Sequence, residues 1–102
     1  MSLYYTLDAD HKAIPTDDVL VWARWFENIN NRIVAKTVLP NGIRVSTVCL
    51  GADHAFGGGP PLIFESMSFG DADHDEMCER YSTWDEAVAG HAAMVEKCKA
   101  MP

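Results

Sequence analysis

A chain of 102 residues has room for a single hydrophobic core and about one domain. With 48% hydrophobic and 23% charged residues it has the composition of an ordinary globular protein, not a disordered one, and no apolar run approaches the roughly 20 residues that cross a bilayer. The net charge of −7 sits entirely in the second half. Residues 1–50 carry five acids and five bases, whereas residues 51–102 carry ten acids and three bases. Such a surface repels nucleic acid phosphates and anionic lipid, and suits basic proteins or metal ions better.

No charged-then-apolar leader opens the sequence, which makes the cytoplasm the expected compartment. Met1-Ser2-Leu3 has the look of a cloning remnant and is set aside. The three cysteines, Cys49, Cys78 and Cys98, are odd in number and widely spaced, a pattern that fits free thiols better than a disulfide framework. Cys49 falls in a strand pattern and Cys98 on an apolar helix face, so both read as small core residues.

In chain order, Tyr4-Tyr5-Thr6-Leu7 reads as a short strand. Asp8, Asp10 and Pro15 then suggest a polar turn, with Thr16 as the N-cap of a first helix over about 17–28. At 100° per residue Val19, Trp22, Ala23 and Phe26 form its core stripe, while Val21 and Trp25 form a second apolar stripe nearly opposite. That second stripe fits either a covering loop or a dimer or partner interface, where Trp is enriched.

The β-rich runs 32–39 and 43–50 flank Pro40-Asn41-Gly42, a hairpin signal. A three-residue loop pairs Leu39 with Ile43, Thr37 with Val45 and Ile33 with Cys49, and gathers Arg32, Lys36, Arg44 and Ser46 on the other face. A glycine-rich loop over 51–61 and a strong strand over 62–69 follow. Residues 71–79 form an acidic connector, 79–81 a short strand, and 83–99 a last helix. In that helix Thr83 and Glu86 stand at capping-box spacing, and Trp84, Ala87, Val88, His91, Met94, Val95 and Cys98 share its apolar face. The expectation is one α+β domain, a mainly antiparallel sheet of four or five short strands with the two helices on one face.

The stretches WARWFE (22–27), VSTVCLGADHAFGGGPPLIFESM (45–67) and RYSTWDEAVAGH (80–91) together resemble a family of small proteins encoded by phages and bacterial prophages. The resemblance implies a phage or prophage origin and expression in a bacterial cytoplasm; it brings no activity with it. The polar residues in the matching stretches are Asp53, His54, Glu65, Arg80 and His91. Cys49 stands where that family has a bulkier residue, and the acidic connector varies.

Asp53 and His54 lie where a strand gives way to the glycine loop, a common place for catalytic or binding residues; turn capping by Asp53 and loop packing by His54 are the plainer account. His91 sits amid an apolar helix face and needs a hydrogen-bond partner if buried. Glu65 poses the same question within its strand. If His54, Glu65 and His91 met, they would suit zinc or iron and metal-assisted hydrolysis. The tight ligand pairs of metal sites are absent.

Gly57-Gly58-Gly59 lacks the Lys-Ser/Thr of a phosphate loop and leads to a strand. Asp71-x-Asp73-x-Asp75 opens like a calcium loop but carries Glu76 and Ser82 where Gly and Glu are needed. No cofactor is implied.

The leading expectation is therefore an accessory protein that acts by binding a host or phage protein, with Trp25, Val21, Asp53, His54 and Arg80 as contact residues and a homodimer as one form. A small metal-dependent or acid–base hydrolase using Asp53, His54, Glu65 and His91 is the rival, and a virion or assembly component the third reading.

Overall fold

A computed structural model describes residues 4–54 and 59–101. Two antiparallel sheets and two helices make an α+β fold. Strands β1 (Tyr4–Leu7) and β2 (Ala13–Thr16) form a ribbon, followed by α1 (Val19–Glu27) and a single 3-10 turn at Ile29–Asn31. Strands β3 (Ile33–Val38), β4 (Arg44–Cys49), β5 (Phe64–Phe69) and β6 (Cys78–Tyr81) then form the main sheet in sequential order, and α2 (Trp84–Lys99) closes the domain.

The turn expected around Asp8 to Pro15 is tighter than the sequence suggests. Asp8 Oδ1 accepts the backbone N–H groups of Asp10 and Lys12, both at 2.9 Å, and His11 takes a left-handed φ of 63°. The chain thereby reverses early enough for Ala13–Thr16 to pair with β1. Pro15 fits because a two-stranded ribbon has positions whose N–H needs no partner. The N-cap of α1 moves accordingly from Thr16 to Asp18, whose carboxylate accepts from Leu20 and Val21 N–H. Thr83 caps α2 as its spacing predicts, its Oγ1 accepting from Glu86 N–H at 3.1 Å.

The β3–β4 hairpin keeps the three-residue loop, with Thr37 opposite Val45 and Leu39 N–H bonded to the Ile43 carbonyl at 2.8 Å. A bulge between Ile33 and Ala35 then places Ile33 opposite Val48, not Cys49. The extra residue lets Val34 join Cys49, Ile63, Phe64 and Ala87 in the core.

Both helices lie toward the same side of the main sheet. α2 contacts all four of its strands, whereas α1 rests on the β1–β2 ribbon and reaches the core through Trp25. Gly51 anchors that arrangement: its carbonyl accepts the Tyr5 N–H at 2.9 Å and the Trp22 indole N–H at 2.8 Å. A Cβ on Gly51 would stand 2.8 Å from Trp22 Nε1 and 3.2 Å from Trp25, at a φ of +70°. Gly51→Ala is therefore expected to cost about 1–3 kcal/mol of stability, read as a lower thermal midpoint together with altered Trp fluorescence. An unchanged midpoint would contradict this anchoring role.

Candidate functional site

The most polar part of the interior is a chain of side chains beneath α2. His91 Nε2 hydrogen-bonds Thr37 Oγ1 at 2.8 Å, and its Nδ1 bonds Thr47 Oγ1 at 2.7 Å. Thr47 Oγ1 in turn lies 2.5 Å from Ser66 Oγ. A neutral imidazole offers one donor and one acceptor, and a hydroxyl can play either part, so both ring nitrogens are satisfied. Thr47, Ser66 and His91 are buried. They separate one apolar cluster, containing Leu39, Ile43, Val45, Met94, Val95 and Cys98, from a second built on Cys49, Ile63, Phe64 and Ala87.

A serine, a threonine and a histidine in hydrogen-bonded series resemble the parts of a nucleophilic site. Here Thr47 and Ser66 are completely covered, so a substrate has no approach to either hydroxyl. Burial lowers the His91 pKa from its ordinary value, keeping the ring neutral. The unfolded chain takes up a proton near pH ~6.5 that the folded chain rejects. Stability from this group is thus present above ~6.5 and lost as pH falls toward the lower folded value.

Glu65 lies on the opposite face of the sheet. Ser66 points toward α2 while its neighbour Glu65 points away, into an ion pair with Arg80 Nε at 3.0 Å. Cys78 Sγ also donates to Glu65 at 3.5 Å. The sheet therefore stands between Glu65 and His91, and the convergence of His54, Glu65 and His91 weighed from the sequence does not form. The Asp53 side chain and the His54 backbone both bond Leu62. Asp53 Oδ1 accepts the Leu62 N–H at 3.0 Å, and the His54 N–H donates to the Leu62 carbonyl at 3.0 Å. Gly57 and Gly58 lie outside the described residues.

The thiols are equally quiet. Burial pushes the Cys49 pKa up to about 11. Cys78 is also raised, first by partial desolvation and then by its hydrogen bond to Glu65. Neither favours the thiolate that nucleophilic or metal-binding chemistry needs. Among the described residues, no three His, Cys, Asp or Glu side chains gather as a metal site would require. Asp71, Asp73 and Asp75 are exposed around a cleft, and the half-buried His74 ties their loop down through Ser68 Oγ at 2.8 Å.

What remains is surface. Trp25 turns inward, half-buried against the second core cluster, which is the covered outcome rather than the exposed one. Val21 stays outward at 51% exposure, flanked by Val19 at 53% and Leu20 at 71%. Val19 thus leaves the core stripe expected of it, and Val88 of α2 is likewise exposed. The sequence reading missed Leu20, whose apolar character carries no signal of its facing solvent. It also passed over Thr37, Thr47 and Ser66, which look like ordinary strand residues until His91 is set above them.

No family model, curated protein or solved structure matches this chain.

Two outcomes follow from the buried network. Thr47→Val is expected to cost about 1–3 kcal/mol by stranding His91 and Ser66, measured by denaturant unfolding. His91→Gln keeps a donor and an acceptor but cannot titrate, so its thermal midpoint should fall less than that of the parent between pH ~7.5 and ~5. Identical pH slopes would show that His91 is not the titrating group.

Proposed function

We propose that this chain is a phage or prophage accessory protein that works in the bacterial cytoplasm by binding another protein, not by catalysis. The observation that carries this reading is the first turn of α1. Val19, Leu20 and Val21 are consecutive and each more than half exposed, on a helix held down from its other side by Trp22, Trp25 and Phe26. The ribbon strand beside it, β2, exposes Ile14 as well. A contiguous run of aliphatic side chains in water costs stability and solubility, and such runs mark interaction surfaces.

Further support comes from the polar residues. The side chains of Asp53, Glu65, Arg80 and His91 each have a structural task, and Glu65 and His91 are divided by the sheet. No helix among the described residues is long and apolar enough to cross a membrane, and the acidic balance of the chain opposes direct binding to nucleic acid phosphates.

The test is site-specific photocrosslinking in host cells. A photoreactive phenylalanine analogue in place of Leu20 should give one discrete adduct that Val21→Ser weakens, while the same analogue in place of the exposed Ala92 gives none. Equal, diffuse labelling from both positions would remove α1 as the contact surface.

A further inference from the structure

Among the described residues the main sheet is covered by a helix on one side only. α2 crosses all four strands on that side, and among the described residues no helix or strand packs over the other. The strand register lays out three rows across the open face: Val38, Arg44 and Phe69; then Lys36, Ser46, Met67 and Cys78; then Ile33, Val48, Glu65 and Arg80. Aliphatic and aromatic side chains thus alternate with basic ones across the face, with Lys36, Val38, Arg44 and Arg80 exposed and Ile33, Val48, Met67 and Phe69 half-buried.

The charge of this face runs against that of the molecule. It carries three bases and one acid, while the rest of the chain carries five bases and fourteen acids. Glu65 is already taken by Arg80. Arg44 leans over the Phe69 ring at 5.7 Å, and neither it nor the exposed Lys36 makes an ion pair with a carboxylate of the described chain. Two cationic groups therefore flank an apolar strip of Val48, Met67 and Phe69 with no anion of their own.

Three occupants are conceivable, and the charges choose between them. A second copy stacked face to face would bring two faces together that each carry three bases and one acid, a like-charge arrangement that costs affinity. A nucleic acid strand would find one aromatic ring to stack on, where such sites use several, and would meet the field of a chain with net charge −7 at every phosphate. A short protein segment bearing a few carboxylates between apolar side chains matches both components of the face and avoids most of that repulsion.

We propose that the open face of the sheet docks an acidic, amphipathic segment of a partner protein, with its carboxylates on Lys36 and Arg44 and its apolar side chains on Val48, Met67 and Phe69. The proposal rests on the reading of the chain as a protein-binding protein but uses a surface separate from α1.

A displayed library of random peptides about four helical turns long, selected on the intact protein and counter-selected on a Lys36→Glu, Arg44→Glu variant, tests it. Both substituted positions are exposed, and circular dichroism checks that the variant is folded. Retained peptides should be richer in Asp and Glu than the library, with apolar residues between them. Their affinity should fall about tenfold or more in the charge-reversed variant and fall with added salt. Amide shifts in the unaltered protein should cluster on β4 and β5, and Ala92→Ser, at an exposed position, should leave binding unchanged.

The proposal is overturned if no peptide is retained, if retained peptides show no acidic excess, or if the shifts map to α1. It is overturned equally if oligothymidylate binds the face more tightly than the peptides, or if the protein forms a dimer that charge reversal dissolves. Photocrosslinks from position Leu20 are untouched by any of these outcomes, so this proposal and the α1 reading fail separately.

Discussion

A buried imidazole must find two partners, and that requirement organises the centre of this domain. His91 sits midway along the inward face of α2, between Ala87 and Met94. Its two nitrogens reach hydroxyls on two different strands, Thr37 on β3 and Thr47 on β4. Apolar packing would tolerate small rotations and slides of α2 over the sheet, because dispersion contacts are weakly directional. Two hydrogen bonds at opposite ends of one rigid ring tolerate far less. Buried polar networks of this kind fix one arrangement among several of similar packing energy.

The same strands that supply those hydroxyls also create the open face. Residues alternate between sheet faces, so placing Thr47, Ser66 and Ser68 under α2 obliges Ser46, Glu65, Met67 and Phe69 to face away. With one long helix and a short one, the described residues cover only one side. The shorter helix is occupied elsewhere, seated on the ribbon and tied to Gly51 by the Trp22 indole. That tether also explains the exposed turn at Val19, Leu20 and Val21. Once Trp22, Trp25 and Phe26 are directed inward, the residues immediately before them have only water to face.

The polar residues that looked most chemical became structural for identifiable reasons. The Asp53 carboxylate and the His54 backbone N–H are both satisfied by Leu62, which offers one donor and one acceptor. Glu65 faces solvent beside Arg80, where a partly exposed ion pair contributes modestly to stability. His91 is held neutral by desolvation, and its hydroxyl partners lie beyond the reach of any substrate.

The sequence alone determined the local features. Periodicity placed both helices and the main strands, Pro40-Asn41-Gly42 placed the hairpin and its loop length, and Thr83 with Glu86 placed the start of α2. These depend on backbone propensity and on contacts a few residues apart, which a linear reading contains. It also supplied the right question about His91, that a buried ring must be satisfied. Tertiary structure decided the answers. Which hydroxyls meet His91, on which face Glu65 stands, that Trp25 turns inward while Leu20 turns out, and that the sheet face away from α2 collects Lys36, Arg44 and Arg80 all depend on strand register and on where α1 is tethered. Those are set by pairings between residues such as Trp22 and Gly51, or Thr37 and His91, whose separation along the chain leaves no mark in local pattern.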